Sequence, residues 1–297
     1  MGDELDNLMR TARQLVHGEE LLGGDYLPGR RNPLPPTTVP ANAPQASASA
    51  KEPVPTPARR DAAPPPTPAA PARRTAVAKP ANIATGPDIS QALPDMTPQQ
   101  KAQALEELAV EARKCLSCCL GSQRLNLVFG EGNPAADLVF VGEAPGADED
   151  ATGRPFVGKA GQKLTEMIGA MGLRREDVYI CNILKCRPPN NRPPVPDEVQ
   201  TCWPFLLRQL QILRPKAMVT LGNPATQTLL QTREGITRLR GQWQKLPALA
   251  PGLEGIPVMP TFHPSYVIRT YTKEVRGMVW SDLQQVMQLL GLSLPEK

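Results

Sequence analysis

Residues 138–146 read Leu-Val-Phe-Val-Gly-Glu-Ala-Pro-Gly, an apolar run that ends in a turn of glycine and proline. A short run of consecutive apolar residues bounded by a turn is typical of a strand that is buried on both faces. Such strands belong to parallel sheets that helices cover on both sides. The glycines of the turn allow the backbone to approach a ligand closely. This stretch therefore predicts an α/β fold with a binding site at the end of its first strand.

Apolar runs and amphipathic segments alternate along the rest of the C-terminal region. After the strand at 137–141, further strands are predicted at 178–184, 217–221 and 256–261. Helices are predicted at 97–114, 159–171, 197–213, 224–230 and 275–290. We predict a three-layer α/β/α fold with a four-stranded parallel sheet. Right-handed crossovers then bring the carboxyl ends of all four strands to one edge, where such folds bind ligands.

The N-terminal third of the chain has a different composition. Of the 35 prolines, 18 lie between Pro28 and Pro98, in a stretch dominated otherwise by alanine, threonine and serine. Such a segment buries too little apolar surface to order itself. We predict a short amphipathic helix at 1–26, a disordered Pro/Ala-rich linker at 27–96 and one folded domain at 97–297.

Charge and hydropathy exclude some classes of protein. Residues 1–98 hold ten basic and ten acidic side chains, so the net charge of +4 lies wholly on the C-terminal region. This modest excess permits a nucleic-acid partner without requiring one. No run of about 18 apolar residues is present, and the acidic start lacks the secretory pattern. We expect a cytoplasmic protein without membrane contact, whose cysteines serve metal or thiol chemistry.

Four cysteines have a spacing that predicts a metal site. Cys115 and Cys118 are separated by two residues, and Cys186 and Cys202 form a second, distant pair. Two such pairs supply four thiolates, which suit either zinc or a [4Fe–4S] cluster, and the spacing does not choose between them. Cys119 is an alternative to Cys118, although the two-residue spacing is the commoner geometry.

Polar side chains stand at the ends of the predicted strands. The amide of Asn182 presents a donor and an acceptor side by side, which suits the edge of an imide or a nucleobase. The same side chain also suits a simple turn cap. His263 follows the fourth strand beside a proline, where a ligand-binding role and a satisfied structural role are both open.

Four segments together resemble the family 4 uracil-DNA glycosylases. They are Gly-Glu-Ala-Pro-Gly at 142–146, Gly-Arg-Pro-Phe-Val-Gly-Lys-Ala-Gly at 153–161, Asn-Ile-Leu-Lys-Cys-Arg-Pro-Pro at 182–189 and His-Pro-Ser-Tyr-Val-Ile-Arg at 263–269. The segments keep the order of that family, and the resemblance covers about residues 105–290. It implies a DNA repair enzyme of base excision repair, a hydrolase that flips uracil out of the stack and leaves an abasic site.

The resemblance also implies roles for residues of the base pocket. Gly142 lines the base site, Phe156 stacks on the uracil face, and Asn182 pairs with N3–H and O4. His263 lies against O2, where negative charge grows as the glycosidic bond breaks. Glu143 positions water or braces its loop, because the middle of this motif is alanine where related families carry aspartate or asparagine.

Beyond the pocket, the resemblance implies a [4Fe–4S] cluster held by Cys115, Cys118, Cys186 and Cys202, with a scaffolding role. The expected partner is uracil-containing DNA, single- or double-stranded, bound by a monomer that joins the nucleoid when it acts. The expected DNA contacts are Arg240, Ser265, Tyr266 and Arg269.

Two other functions stay open on the sequence alone. One is a non-enzymatic zinc or iron–sulfur module that binds nucleic acid, and the other is a redox protein. Neither needs Phe156, Asn182 and His263 in one pocket. No expectation is attached to a protein partner of the N-terminal helix.

Overall fold

The computed structural model describes residues 86–293. The N-terminal helix expected at 1–26 and the linker up to residue 85 lie outside this range, as do residues 294–297. Within it, no helix is long and apolar enough to cross a membrane.

A six-stranded sheet forms the centre of the fold. Its strands are β1 (Glu131–Gly132), β2 (Leu138–Gly142), β3 (Tyr179–Asn182), β4 (Ala217–Leu221), β5 (Gln244–Lys245) and β6 (Pro257–Thr261). They are arranged in the order β1-β3-β2-β4-β6-β5. The four central strands are parallel, which confirms the four-stranded parallel sheet. The two-residue strands β1 and β5 add an antiparallel pair at each edge, and they are too short to be seen in the sequence pattern.

Helices cover both faces of the sheet, which confirms the three layers. Along β2, Val139 and Val141 face one apolar core, while Leu138 and Phe140 face the other. The helices are α1 (Pro98–Arg113), α2 (Ala147–Thr152), α3 (Lys159–Ala170), α4 (Pro196–Leu213), α5 (Asn223–Leu230), α6 (Ile236–Leu239), α7 (Pro264–Arg269) and α8 (Lys273–Leu290). The first core contains residues of α1, α4 and α5, and the second contains residues of α3, α7 and α8.

The five predicted helices are present, and α2, α6 and α7 were not predicted. These three have four to six residues, fewer than two turns, so they show no 3.6-residue periodicity. The start of α1 follows its sequence signal, because Thr97 and Gln100 form a reciprocal capping box.

Residues before the predicted domain boundary at residue 97 also pack in the folded unit. Ile89, Leu93 and Met96 pack against the core formed by α1 and α4. The buried Gln211 donates from Nε2 to the carbonyls of Ile89 and Gln91. Residues 86–96 are thus part of the folded unit, since three large apolar side chains offset the proline content that marked this stretch as linker.

Candidate active site

The carboxyl ends of the parallel strands open into a cavity of about 370 Å³. The turn after β2, the end of β3 and the loop between β6 and α7 contribute its walls. Residues that the sequence singled out line it together: Glu143, Phe156, Asn182, His263, Ser265 and Arg269. Three of the four strand ends that were expected to converge, those of β2, β3 and β6, therefore form one site from residues more than 100 positions apart, and the end of β4 is not among the lining residues.

Asn182 occupies the floor of this cavity. It is the last residue of β3, is 2% exposed, and lies opposite Gly142 in the parallel register. Its Oδ1 is buried and has no hydrogen-bond partner among residues 86–293. A buried acceptor without a partner costs roughly 1–3 kcal/mol, so its presence in a cavity points to a ligand that donates to it. The amide is thus placed to receive a donor.

Gly142 makes room for two pocket side chains. A Cβ atom at this position would lie 2.4 Å from Asn182 Oδ1 and 2.5 Å from Phe156 Cζ. Both distances are far below van der Waals contact, and a glycine is therefore required by the pocket itself. The Asn182 amide and the Phe156 ring converge over the same backbone atom.

Phe156 forms an apolar wall and carries an unusual backbone conformation. Its φ angle is +52°, its side chain is buried, and its ring centroid lies 5.7 Å from that of His263. A bulky residue in the left-handed region costs about 1–2 kcal/mol, so neighbouring contacts must hold it there. Glu149 of α2 contributes, because one carboxylate oxygen accepts from the backbone N–H groups of Val157 and Gly158, 2.9 Å each.

His263 is positioned by the helix that it caps. Its Nδ1 accepts the backbone N–H of Ser265 at 3.1 Å and lies 2.8 Å from the Ser265 hydroxyl. Since a backbone amide always donates, Nδ1 is the acceptor and the neutral ring carries its proton on Nε2. Burial, and after it the nearby Arg269, lowers the pKa of His263 to about 4. The side chain is therefore a neutral hydrogen-bond donor at physiological pH.

Glu143 follows β2 directly and lines the cavity beside Ala144. Burial raises the pKa of its carboxyl. A carboxylate that has lost part of its hydration is a stronger base than a free one, which suits a group that orients or accepts a proton from water.

The four predicted cysteine ligands line a second, smaller cavity between α1 and α4. Cys118 belongs to it, whereas Cys119 is exposed and lies 3.5 Å from Glu198. The structure thus favours Cys118 over Cys119 as the metal ligand, a choice that the sequence left open. Within residues 86–293 no three metal-binding side chains are close enough to share a single ion.

The surroundings of these cysteines suit thiolates. Arg124 donates from Nη1 to Cys186 Sγ at 3.2 Å, and the backbone N–H of Lys185 donates to Cys202 Sγ at 3.3 Å. The ammonium of Lys185 is fully buried near the same sulfurs and donates to the carbonyl of Asn182 at 2.8 Å. A guanidinium and a backbone donor directed at two of the sulfurs, with a buried ammonium nearby, suit a site that holds several negative thiolates.

The residues expected to contact DNA fall into two groups. Tyr266 and Arg269 are exposed on α7, and Ser265 and Arg269 line the cavity. The Tyr266 ring packs against Phe262, with centroids 4.8 Å apart, which fixes one face and leaves the other to solvent.

Arg240 is placed differently from the expectation of a phosphate contact. Its guanidinium forms a bidentate ion pair with Asp282, which is completely buried, and also donates to the carbonyl of Met278. Arg240 therefore fastens α8 to the C-terminal end of α6, which corrects its assignment as a DNA contact. No local pattern indicated this ion pair, because the partner of Arg240 lies 42 residues away.

Comparisons with known proteins agree with this geometry. The family model described as the uracil DNA glycosylase superfamily matches residues 129–284. A type-4 uracil-DNA glycosylase from Thermotoga maritima is 44% identical over 194 residues, 64% of this chain and 96% of that protein. The chain belongs to the type-4 uracil-DNA glycosylase family. A type-4 enzyme from Archaeoglobus fulgidus is 42% identical over 197 residues, covering 65% of this chain and 96% of that protein.

The matched range of the superfamily contains the whole base cavity but only two of the four cysteines. Cys115 and Cys118 precede residue 129, whereas the similarity to the two type-4 proteins extends over nearly their full length. A type-5 uracil-DNA glycosylase from Pyrobaculum aerophilum is less similar, at 33% over 149 residues.

Three residues with many contacts at the site were not found from the sequence. Glu149 stood in an acidic run, Lys185 inside a motif, and Arg175 in a charged segment before β3. The one sequence feature that could have indicated these residues is a charged side chain next to a buried strand or to the start of a helix. Their partners are backbone groups brought close by the fold, which residue types alone do not reveal.

Proposed function

We propose that this protein excises uracil from DNA by hydrolysing the N-glycosidic bond, which leaves an abasic site. Membership of the type-4 family supports this function. The observation that carries it is the buried, unpartnered Oδ1 of Asn182, in the cavity that Phe156 and His263 also line. A donor that meets this acceptor inside a closed pocket is what the N3–H of uracil offers. The site of action is the cytoplasm, where the enzyme meets the chromosome.

Recognition of the base follows from two side chains. A uracil flipped out of the stack enters the cavity and lies against the Phe156 ring. Asn182 Oδ1 accepts N3–H while its amide nitrogen donates to O4. Cytosine presents an acceptor at N3 and an amino donor at C4, so both contacts fail. Each unsatisfied buried group costs about 1–3 kcal/mol, which gives the pocket its preference.

His263 acts on the leaving group. As the glycosidic bond breaks, negative charge develops on the uracil ring, and the Nε2–H of His263 donates to O2. This proton remains in place because Nδ1 is held by the amide of Ser265. A neutral donor in a partly dehydrated pocket stabilises the transition state more than the ground state, and loss of one such donor typically costs about 100- to 1000-fold in rate.

Glu143 is the group that we assign to water. Its carboxylate lies on the cavity wall formed by the turn after β2, two strands away in the sheet from β6, whose end carries His263. It orients the attacking water and balances the positive charge of the sugar. Ala144 has no polar group to share this role.

We further propose that Cys115, Cys118, Cys186 and Cys202 hold a [4Fe–4S] cluster. The hydrogen bonds from Arg124 and Lys185 to two of the sulfurs support a thiolate-rich group. When bound, the cluster serves as a structural cross-link, since hydrolysis of an N-glycosidic bond transfers no electrons. DNA contacts come from the exposed face of α7, through Ser265, Tyr266 and Arg269.

An oligonucleotide assay tests the proposed function. Purified protein is incubated with single- and double-stranded DNA that contains one deoxyuridine, and alkali then reveals abasic sites. Breaks at the deoxyuridine position support the glycosylase, and DNA binding without breaks would support the non-enzymatic module instead. Identical DNA with deoxycytidine or thymidine at that position is the control.

A further inference from the structure

Arg175 is bound to the backbone of the loop that carries Phe156. It lies in the short 3-10 turn Arg175–Asp177 that precedes β3, outside every motif of the base cavity and 19 residues after Phe156. Its Nη1 donates to the carbonyl of Phe156 at 3.0 Å, and its Nη2 donates to the carbonyl of Pro155 at 2.8 Å. One planar guanidinium thus holds two consecutive peptide carbonyls.

The guanidinium is itself fixed by further contacts. Nη2 forms an ion pair with Glu131 of the edge strand β1 at 2.6 Å, and Nη1 donates to Thr165 Oγ1 of α3 at 3.2 Å. The Arg175 side chain is 18% exposed, compared with 71% for its neighbour Arg174. A rigid fork in this partly buried position is well suited to hold several acceptors at once.

The loop needs such support because Phe156 has a strained backbone with φ of +52°. Its main chain also lies directly on α3, where a Cβ at Gly161 would be 1.9 Å from the Phe156 carbonyl oxygen. Without the two bonds from Arg175, Glu149 alone holds this loop, through the N–H groups of Val157 and Gly158, and the Pro155 and Phe156 carbonyls can turn toward a relaxed conformation. The ring would then leave the cavity wall.

We propose that Arg175 is a positioning residue that fixes the aromatic platform for the flipped base, acting through the Pro155 and Phe156 carbonyls without touching the base. The inference rests on the proposed stacking role of Phe156. It extends the base site to the 3-10 turn before β3 and to the edge strand that anchors it.

The test compares binding to two DNA ligands. One contains 2′-fluoro-deoxyuridine, which resists hydrolysis, and the other contains a tetrahydrofuran abasic analogue, so the ratio of their Kd values reports on the base alone. Arg175→Met should reduce this preference at least fivefold and lower single-turnover excision at least tenfold. Binding to the abasic analogue should stay within twofold. The matched control is Arg174→Met, because Arg174 pairs with Asp177 and Glu176 on the same turn.

A purely structural role predicts a different result. In that case Arg175→Met lowers the melting temperature but leaves the base-dependent ratio unchanged, which would overturn the proposal. If the methionine variant does not fold, Arg175→Lys carries the test. A lysine keeps the charge beside Glu131 but lacks the planar fork that reaches both carbonyls together with Glu131 and Thr165. The ratio should therefore fall at least threefold, and a wild-type ratio would overturn the proposal.

A double variant separates this inference from the proposed function. If Arg175 acts through Phe156, adding Arg175→Met to Phe156→Leu should change the ratio by less than twofold. An undiminished effect in the Phe156→Leu background would show that Arg175 acts elsewhere. A Phe156→Leu variant with a wild-type ratio would instead refute the stacking role itself.

Discussion

Asn182 Oδ1 makes the base pocket selective for a ligand that carries a hydrogen-bond donor, because a buried acceptor without a donor is costly. Replacing Asn182 by aspartate removes the amide donor that faces O4 and sets a carboxylate against it. We expect uracil excision by Asn182→Asp to fall by at least 100-fold in single-turnover assays, with the fold retained. A protonated carboxyl group would donate to N3 of cytosine and accept from its amino group. We therefore also expect weak cytosine excision by Asn182→Asp.

A second asparagine at the same cavity provides the control. Asn191 lines the rim and accepts from Arg187, a bond that an aspartate also makes. Asn191→Asp therefore introduces the same charge without changing the floor and should stay within about fivefold of wild type. Uracil kinetics of Asn182→Asp within threefold of wild type would remove Asn182 from the pocket.

The ionisation of His263 leads to a pH prediction. Its folded pKa of about 4 is below the usual 6.5, so the folded state binds the proton less readily than the unfolded chain. The stability contributed by the neutral ring is complete above about pH 6.5 and is lost as the pH falls through about 4. Protonation of His263 should therefore cause no loss of excision near pH 6.5 and should act only near pH 4, where a protonated Nδ1 no longer accepts from Ser265. A decline at higher pH would report instead on Glu143, because burial raises the pKa of its carboxyl.

Histidine NMR measures this directly. The chain has two histidines, and a His17→Gln variant leaves His263 as the only ring signal. We expect a neutral Nε2–H tautomer at pH 7 and a midpoint near 4. A midpoint between 6 and 7 would contradict the neutral-donor role.

The parallel pairing of β2 and β3 explains why β2 ends with glycine. Register places Gly142 beside Asn182, and the space over its Cα holds the amide and the Phe156 ring. Gly142→Ala should reduce uracil excision at least 100-fold, because the added methyl group must displace one of them. Gly277→Ala on α8, where a Cβ meets nothing within 4 Å, is the matched control and should leave excision unchanged. Near-normal excision by Gly142→Ala would show that the pocket tolerates a shift.

The long elements were predictable because their signals are local. The strand LVFV, the capping box at Thr97 and the spacing of Leu206, Leu210 and Leu213 each depend on neighbours a few residues away. The placement of Arg240 was not predictable in this way, since a buried carboxylate 42 residues away determines it. The gathering of the pocket residues followed from the rule that parallel strands share one carboxyl edge.

The neighbouring cysteines Cys118 and Cys119 allow a test of the proposed ligand set, because one serves as the control for the other. Cys118 lines the smaller cavity between α1 and α4, whereas its neighbour Cys119 is exposed. Wild-type protein purified without oxygen should be brown and contain about four irons per chain. Cys118→Ser should contain less iron and melt at a lower temperature than wild type. Cys119→Ser should match wild type in iron content and in melting temperature. Stoichiometric zinc without iron, or equal losses in both variants, would contradict the proposed ligand set.

On the scale of the whole molecule, composition misplaced the start of the folded unit. Proline content marked residues 27–96 as one linker, yet folding depends on what a segment buries as well as on its average composition. Ile89, Leu93 and Met96 are spaced four and three residues apart and share one apolar surface. Arg214, at the end of α4, also donates to the carbonyl of Leu93 and pairs with Asp95.

Two truncations test this boundary against each other. A chain that starts at Gly86 keeps these contacts, whereas one that starts at Thr97 loses three partly buried side chains, together worth roughly 2–4 kcal/mol. For a domain of this size we expect the shorter chain to melt about 5–10 °C lower. The chain from Gly86 should match the full-length protein in melting temperature and in excision rate, because the base cavity lies entirely within residues 143–269. Equal melting of the two truncated chains would place the boundary at residue 97 after all. A tenfold slower excision by the chain from Gly86 would show that residues 1–85 contribute to catalysis.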